Sequence, residues 1–252
     1  MKEYELHLHE SGILEWKINR PEKRNAINYA VMDGLEKALE EAESNPLVKI
    51  LLVKGAGDRA FCSGGDLKAF HQLKTEDQAY EMLERMGKLL YRLATLEKPT
   101  VALINGVAVG GGCELATACD FRIAKAGSKM GFVQGKLAIT TGWGGGSLLF
   151  ERLAPHDALK ILSEAKVYDV ETLMEKGYIH QIIPNLSMDH VHSHLHDLLD
   201  TPVQVLTAYK KLLIQKWQQQ QLEQRMAKEI RQCAVLWEKD EHHEAVEAFL
   251  AK

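Results

Sequence analysis

An α/β fold is predicted by three features of the sequence. Short apolar runs alternate with amphipathic helical segments, a unit of strand, glycine turn and helix occurs twice, and the composition is that of an ordinary globular protein. The chain has 252 residues, of which 46% are hydrophobic and 26% charged, so it can bury a sizeable core as one domain or two. Composition alone allows α/β or α+β, and the repeated unit favours α/β.

The first half of the chain supplies most of the predicted strands. Alternation or short apolar runs indicate strands, and apolar residues three or four apart indicate helices, which end at Asn45-Pro46 and Lys98-Pro99. In chain order the predicted elements are strands at 4–9 and 13–18, a helix at 28–44, a strand at 50–53, a short helix from Leu67, a helix at 77–95, a strand at 101–109, a helix ending at Cys119 and a strand at 121–124.

The second half is mainly helical. A glycine run at 142–146 opens a helix, and further helices at 156–165 and 170–176 precede a strand at 178–183. From Pro184 to Lys252 the pattern is helical and amphipathic, so we expect this segment to pack on the core or on a neighbouring subunit. The predicted division is a core at 1–184 and a helical region at 185–252.

Charge and cysteine usage restrict the classes of partner. The formal net charge of −4 argues against a broad electrostatic grip on nucleic acid. The sequence shows neither the apolar core of a signal peptide nor a span long enough for a membrane, so we expect a cytoplasmic protein. The four cysteines have no Cys-x-x-Cys spacing, which favours buried reduced thiols over a metal or redox site.

Two glycine-rich turns, at 60–67 and 110–115, are the strongest functional signal. Backbone N–H groups exposed where a helix begins attract negative charge, and two such turns facing each other could hold one enolate oxygen. Glu114 follows three glycines in the first turn of a helix, where it either stabilises the helix dipole or transfers a proton beside a polarised carbonyl. Asp66 is interpreted mainly as the N-cap of the helix that begins at Leu67.

Two other groups of polar residues have both a structural and a functional interpretation. Lys23, Arg24 and Lys68 could bind phosphate, although scattered surface lysines are usually only solvated. Histidines alternate at 190, 192, 194 and 196, a helical spacing that can hold a metal. Their carboxylate neighbours are not arranged as a site, so we expect an exposed helix and no metal.

Several motifs resemble the crotonase superfamily, the enoyl-CoA hydratase/isomerase family, over nearly the whole chain. The motifs are Asn19-Arg20-Pro21 with Asn25-Ala26-Ile27-Asn28, the segment from Ala60 to Lys68, Asn105-Gly106 through Leu115, Ala118-Cys119-Asp120-Phe121-Arg122, and Gly177-Tyr178-Ile179 before Pro184. Each piece alone is modest. In this order and spacing they are highly specific.

The resemblance implies a fold, a substrate class and a set of site residues. The fold would be a crotonase-like spiral of ββα units, followed by C-terminal helices that cover the site and build trimers or hexamers. The substrate would be an acyl-CoA thioester, so coenzyme A enters with it and no separate cofactor is expected. Gly65 and Gly111 would donate to the thioester oxygen. The residues expected to bind substrate are Lys23, Arg24, Ala26 and Lys68 near the nucleotide end, together with Gly64, Asp66, Leu67 and Trp143.

One departure from the family pattern bears on the reaction. Hydratases of this family use two glutamates; the first matches Glu114, but an ungapped alignment puts Gln134 at the second. An amide cannot take a proton from water, and general acid–base groups contribute on the order of 10²–10⁴ in rate, so hydration should be weak. Loss of CO2 from a malonyl-type thioester yields the enolate directly and then needs one proton at the α-carbon.

The surroundings of Gln134 also look more like the methyl- or ethylmalonyl-CoA decarboxylase branch than like hydratases. Trp143 in this segment would narrow the acyl pocket, or it is a plain core tryptophan. Family isomerases that work with one carboxylate usually keep it at the position of Gln134. Isomerisation is therefore disfavoured.

The sequence thus favours an acyl-CoA lyase with Gly65 and Gly111 as oxyanion donors, Glu114 as the proton-transfer group and Gln134 as a polar orienter of substrate. The favoured reaction is decarboxylation of a short malonyl-type acyl-CoA. The alternatives are hydration of a short 2-enoyl-CoA and a non-catalytic relative that holds acyl-CoA or RNA. The expected partners are the thioester and further copies of the chain, as a homotrimer or a dimer of trimers, without membrane or nucleic acid.

Overall fold

The computed structural model describes residues 2–251 and contains two β-sheets surrounded by helices. The strands are β1 Tyr4–Leu8, β2 Ile13–Ile18, β3 Ile50–Gly55, β4 Ala60–Cys62, β5 Thr100–Ile104, β6 Val107–Val109, β7 Phe121–Lys125, β8 Lys129–Gly131, β9 Tyr168–Asp169 and β10 Gln181–Ile183. The α-helices are α1 Tyr29–Ser44, α2 Leu67–Phe70, α3 Glu76–Thr95, α4 Gly111–Ala118, α5 Gly145–Arg152, α6 Pro155–Glu164, α7 Val170–Glu175, α8 Met188–Asp200, α9 Val203–Gln219, α10 Leu222–Trp237 and α11 Asp240–Leu250.

Strands alternate between the two sheets along the chain. The larger sheet has the order β1-β2-β3-β5-β7-β10, and the smaller sheet has the order β4-β6-β8-β9. Each of three consecutive strand pairs contributes one strand to each sheet: β3–β4, β5–β6 and β7–β8. Within each sheet, the strands of successive pairs lie parallel to one another. The hairpin β1–β2 and the pair β8–β9 are antiparallel. Repetition of this unit forms the ββα spiral that the sequence predicts.

One predicted strand is two strands. The sequence predicts an unbroken strand at 101–109, but the chain turns at Asn105-Gly106, and β5 and β6 belong to different sheets. The Asn105 side chain accepts a hydrogen bond from the amide of Gly55 at 3.1 Å and donates to the carbonyl oxygens of Gly57 and Ala60 at 2.8 and 3.1 Å. The prediction is wrong because these side-chain bonds hold a turn that the apolar run conceals.

The larger sheet is buried on both faces. Its inner face, which includes Leu51 and Val53, packs into the main core with α1 and α3. Its outer face packs against Val191, Leu195 and Leu199 of α8, which recur every four residues and are at most 7% exposed. The segment after residue 184 therefore begins with a helix that is packed on the sheet.

The C-terminal helices share the main core with the spiral. Trp217, Met226, Ile230 and Trp237 are buried in the same cluster as the inner strands. A Cβ on Gly87 of α3 would lie 2.3 Å from Cδ1 of Ile230, so α10 packs directly on the backbone of α3. The helical character predicted for this region is confirmed, and the division at residue 184 stays a prediction.

The cysteine and histidine side chains lie in contrasting environments. Cys62, Cys113, Cys119 and Cys233 are buried and free, and burial raises the pKa of Cys62 and Cys119 to about 12, so these thiols are neutral. The histidines of α8 lie away from its buried stripe. Within residues 2–251 no group of three or more His, Cys, Asp or Glu is placed to hold a metal ion, and no helix is long and apolar enough to cross a membrane.

Candidate active site

A cavity of about 500 Å³ lies where the two glycine turns meet α3, α10 and α11. Its wall is mainly apolar, and Glu114 is the one carboxylate among the lining residues between positions 2 and 251. The main apolar lining residues are Leu67, Phe70, Met82, Val133, Trp143 and Trp237. A cavity of this size with few polar groups suits a small-molecule substrate.

The turn between β6 and α4 exposes a backbone amide to the cavity. Gly110 has a φ of 55° and a ψ of −122°, a conformation that glycine adopts without strain. Gly111 begins α4, and its N–H donates to no acceptor within residues 2–251. A Cβ on Gly111 would lie 2.1 Å from Cζ3 of Trp143. Glycine is therefore required here so that the indole can pack against the turn.

The turn between β4 and α2 lies beside the first. Gly64 has a φ of 90°, and its carbonyl accepts a hydrogen bond from the amide of Ile27 at 2.8 Å. A Cβ on Gly64 would lie 3.0 Å from the nitrogen of Gly111, so the two turns are in contact. The Gly65 amide donates to no acceptor in the described part of the chain. The structure thus brings the two predicted donor glycines to one wall of the cavity.

Glu114 is 2% exposed and is held entirely by neutral N–H groups. Its Oε1 accepts hydrogen bonds from Nε2 of Gln134 at 2.9 Å and from the amide of Gly142 at 3.3 Å. Its Oε2 accepts from the amides of Trp143 and Gly145, both at 2.9 Å. The carboxyl group is therefore fixed at the cavity wall by the turn that precedes α5.

The pKa of Glu114 is raised to about 7. Burial raises it most and the negative charge of Glu229 raises it further, whereas the backbone N–H groups of Gly145, Trp143 and Gly142 lower it. A carboxyl group with this pKa can hold or release a proton near neutral pH. This property suits a general acid or base.

Gln134 lies next to Glu114 at the start of a 3-10 turn, Gln134–Leu137. Its Nε2 donates to Glu114, while its Oε1 is buried with no partner in residues 2–251. With its amide turned by 180°, Gln134 would accept a hydrogen bond from the protonated acid. The side chain can therefore bind Glu114 in both protonation states without transferring a proton.

Trp143 combines the two roles that the sequence leaves open. It is 4% exposed, as a core tryptophan would be, and it also lines the cavity. Its ring covers Gly111, and a Cβ on Gly65 would lie 3.6 Å from its Cζ2. The indole therefore narrows the cavity beside the two free amides.

The far end of α4 is fixed by a buried arginine. Arg122 is 1% exposed, and its Nη1 donates to the carbonyl oxygens of Ala116 and Cys119 at 3.3 and 2.9 Å. Its Nε donates to the carbonyl oxygen of Tyr178 at 2.6 Å. A cation at a helix C-terminus satisfies the last carbonyls and complements the dipole. Arg122 thereby helps to set the position from which Glu114 enters the site.

Lys23, Arg24 and Lys68 lie outside the cavity wall. All three are exposed, and the loop that carries the first two borders the wall, because the amide of Ser63 donates to the carbonyl of Arg24 at 3.1 Å. Exposed cations beside a cavity attract an anionic group on a ligand that extends into solvent. Their position beside the cavity agrees with the expectation that they bind the nucleotide end of coenzyme A, but it does not test that role.

Ala26 and Asp66 are tied to one arginine. Arg20 donates from Nη1 to the carbonyl oxygen of Ala26 at 2.7 Å and from Nη2 to the carboxylate of Asp66 at 2.8 Å. Asp66 also accepts from the amide of Lys68 at 3.2 Å, so its predicted role as the N-cap of α2 is confirmed. Neither residue lines the cavity, whereas Gly64 and Leu67 do.

The sequence resemblance implies that the C-terminal helices cover the site, but sequence reasoning named none of their residues. Cys233 and Trp237 from α10 and Phe249 from α11 line the cavity. Glu229 of α10 is half-buried beside it, where its Oε1 accepts from Oγ1 of Thr141 at 2.5 Å. The available signal was a carboxylate on the same helix face as Met226 and Cys233.

Comparison with known proteins identifies relatives over most of the chain. A family model described as enoyl-CoA hydratase/isomerase matches residues 9–252. An ethylmalonyl-CoA decarboxylase of Xenopus tropicalis is 33% identical over 231 residues, which cover 90% of this chain and 77% of that protein. A crotonyl-CoA hydratase of Syntrophomonas wolfei is 36% identical over 167 residues, which cover 66% of this chain and 64% of that protein.

Solved structures share the whole fold. An enoyl-CoA hydratase/isomerase from Xanthobacter autotrophicus Py2 superposes with a TM-score of 0.90 at 22% identity, over 99% of this chain and 93% of that one. An enoyl-CoA hydratase from Bacillus halodurans gives a TM-score of 0.88 at 24% identity, over 98% and 99%. At these identities the likeness shows the fold.

The spiral fold, the cavity and the relatives together define an enzyme that processes acyl-CoA. The chain belongs to the enoyl-CoA hydratase/isomerase, or crotonase, family.

Proposed function

We propose that this enzyme removes CO2 from a short malonyl-type acyl-CoA thioester. One observation carries the proposal: of the cavity-lining residues between 2 and 251, only Glu114 is acidic, and Gln134 occupies the position aligned with the second glutamate of hydratases. Hydration needs a base that activates water, whereas decarboxylation needs no base. The similarity to ethylmalonyl-CoA decarboxylases supports the same choice.

In the proposed reaction the amides of Gly65 and Gly111 donate to the thioester oxygen. The bond between the α-carbon and the carboxylate breaks, its electron pair forms the enolate, and CO2 leaves. Negative charge develops on the oxygen, so donors that are already in place stabilise the transition state. Loss of one such donor in acyl-transfer enzymes costs roughly 3–4 kcal/mol.

Glu114 then donates its proton to the α-carbon of the enolate. The resulting carboxylate is held by the backbone amides of Gly142, Trp143 and Gly145 until solvent returns a proton. A pKa of about 7 keeps a large share of Glu114 protonated at neutral pH. The amide of Gln134 can follow this change by turning over.

The apolar wall favours loss of the substrate carboxylate. An ionised carboxylate is poorly solvated among apolar side chains, and neutral CO2 has no such cost. Lys136 is the one basic residue that lines the cavity in the described part of the chain, and it is exposed. The buried part of the cavity therefore offers no cation that would hold the carboxylate in place.

A competition between substrates tests the proposal. Purified protein should release CO2 from ethylmalonyl-CoA or methylmalonyl-CoA and form butyryl-CoA or propionyl-CoA, while it hydrates crotonyl-CoA slowly. Rapid hydration of crotonyl-CoA without CO2 release from either malonyl thioester would overturn the proposal.

Hydration of a short 2-enoyl-CoA is the second candidate. It is favoured by the relative from Syntrophomonas wolfei, which is named as a crotonyl-CoA hydratase, and by the presence of Glu114. The same assay decides between the two reactions. A non-catalytic role is not favoured, because the relatives are named as enzymes.

The cations beside the cavity are proposed to meet the nucleotide end of coenzyme A. Arg24→Ala and Lys68→Ala should each raise KM for the thioester and leave kcat unchanged, because phosphates far from the reacting carbon bind equally in the ground and transition states. A lowered kcat with unchanged KM would contradict this role.

A homotrimer, alone or stacked as a hexamer, is the proposed assembly. Val205, Tyr209 and Leu212 of α9 are 41, 70 and 62% exposed and lie on one helix face, which suits contact with another copy. Light scattering should give three or six times the chain mass of 28.3 kDa.

A further inference from the structure

Two carboxylates, the buried Glu114 and the half-buried Glu229, bind adjacent amides of one turn. The amide of Gly145 donates to Oε2 of Glu114 at 2.9 Å, and the next amide, that of Gly146, donates to Oε1 of Glu229 at 2.9 Å. The amide of Ser147 donates to Oε2 of Glu229 at 2.6 Å. The backbone amides in the first turn of α5 therefore bind both acids.

No cation neutralises this pair in the part of the chain that the structure describes. The two arginines of α10 nearest in sequence to Glu229 are engaged elsewhere: Arg225 pairs with Glu151 at 2.6 Å, and Arg231 pairs with Glu76 at 3.1 Å. The partners of Glu229 are the Thr141 hydroxyl and two backbone N–H groups. A second charge on such a pair is opposed by repulsion and burial, so the pair releases its last proton less readily than an isolated carboxyl group would.

We propose that Glu229 is a positioning residue that holds the turn at 141–147 in place and, by its own negative charge, keeps the proton on Glu114. Glu229 is half-buried and accepts hydrogen bonds of 2.5–2.9 Å from the Thr141 hydroxyl and two backbone N–H groups, which stabilise its charged form. Glu114 is more deeply buried, which favours its neutral form. Oε1 of Glu114 faces Gln134, whose unpartnered oxygen can accept the proton after the amide turns. Glu114 is therefore the member of the pair that is protonated.

The other titratable groups around Glu114 do not share this proton. Cys113 of α4 and Cys233 of α10 are buried thiols, and burial raises the pKa of both, so they stay neutral. Burial also raises the pKa of Glu229, but the N–H groups of Ser147 and Gly146 and the Thr141 hydroxyl oppose this rise. The role in catalysis rests on the proposed function, because decarboxylation needs Glu114 as an acid.

Carbon NMR of protein labelled at the glutamate carboxyl carbons tests the proton-holding role without substrate. In Glu229→Gln the pKa of Glu114 should fall by about one pH unit or more, because the like charge is gone. Glu151→Gln is the matched control: Glu151 is a buried carboxylate of α5 that pairs with Lys216 and Arg225, and its loss should leave the Glu114 titration in place. An unchanged Glu114 pKa in folded Glu229→Gln would overturn the proposal.

A reciprocal variant covers the case in which Glu229→Gln does not fold. Under the proposal Glu229 ionises while Glu114 is still protonated, so its pKa should be nearly the same in Glu114→Gln, which is neutral at that position, as in the parent. If the pKa of Glu229 falls in Glu114→Gln, Glu114 is the acid that ionises first in the parent, and the proposal fails.

Kinetics then separate this inference from the proposed function. With the malonyl-type thioester, the loss of kcat at high pH should begin at lower pH in Glu229→Gln than in the parent, and Glu229→Asp, which keeps the charge, should restore much of the parental profile. If the parent shows no CO2 release, the proposed function fails while the NMR titration still decides the role of Glu229. Parallel pH profiles for the parent and Glu229→Gln would contradict the catalytic role alone.

Discussion

Two carboxylates, Glu114 in the first turn of α4 and Asp120 two residues after its last residue, lie in opposite electrostatic surroundings. At the C-terminal end, Asp120 bonds to Lys210 and lies 3.4 Å from Arg152, and its side chain is only 9% exposed. At the N-terminal end, Glu114 meets neutral amides and lies near a second acid, Glu229. The two carboxylates are only six positions apart in the sequence.

The pKa values diverge accordingly. Burial alone would raise the pKa of Asp120, but Lys210 and Arg152 hold it below its ordinary value. Burial and Glu229 instead raise the pKa of Glu114 to about 7. The comparison teaches that burial does not decide the charge of an acid: cations make Asp120 a permanent anion that fastens helices together, and their absence lets Glu114 exchange a proton.

The largest expected effect comes from removing the exchangeable acid. Glu114→Gln should lower kcat for CO2 release by about 10²–10⁴, because the enolate loses its proton donor. Steady-state assays that follow the product thioester measure this loss, with Glu151→Gln as the control for a buried carboxylate outside the site. A variant that turns over at the parental rate would show that Glu114 has no part in the reaction.

Removing the permanent anion should affect folding. Asp120→Asn leaves the buried Lys210 and Arg152 without their counter-charge, so the free energy of unfolding should fall by about 3–5 kcal/mol. Urea denaturation followed by circular dichroism gives this difference. Lys17→Met, which breaks the more exposed pair with Glu5, should cost much less. Equal losses would mean that the Asp120 cluster is not stabilising.

Glu114 and Asp120 should affect different properties as the pH changes: Glu114 the rate, and Asp120 the stability. Glu114 must be protonated to act, so kcat should fall up to tenfold per pH unit as the pH rises above about 7. The stabilising contribution of Asp120 is fully present above its ordinary pKa of 3.8, because its folded-state pKa is lower, and it disappears only as the pH falls through that lower value. Between pH 6 and 9, rate should change while the Asp120 contribution to stability stays constant; a rate that is flat across this range would contradict the assignment of Glu114.

The smallest expected effect is a gain. Gln134→Glu would add a second carboxylate beside Glu114 and should raise hydration of crotonyl-CoA by about tenfold, because a base for water is restored. Gln134→Leu, which removes the amide without adding an acid, should show no gain. Absence of a gain in Gln134→Glu would indicate that the alignment or the role given to this side chain is wrong.

The sequence predicts the local structure well where one residue type forces it. The triple glycine before Glu114, the cap at Asp66 and the amphipathic period of α3 depend on neighbours in the chain, and all three are found in the structure. The break at Asn105 depends on bonds to residues 45 to 50 positions earlier, so the apolar run conceals it.

The candidate site divides in the same way. Gly65, Gly111, Glu114 and Gln134 are predicted from motifs and meet at the cavity. Glu229 lies 115 positions after Glu114 in the sequence. The hydrophobic pattern of α10 is that of an ordinary amphipathic helix, except that Glu229 lies among its buried apolar positions. Its contact with the turn before α5 depends on tertiary packing, which a periodicity argument does not contain.

The turn from Gly142 to Ser147 assigns its successive N–H groups to different acids, with Gly145 serving Glu114 and Gly146 serving Glu229. Its length is therefore part of the chemistry. Inserting one residue there would move these N–H groups away from the carboxylates that they now bind. Homologous enzymes that keep both acids should therefore keep the number of residues in this turn, even where its side chains differ.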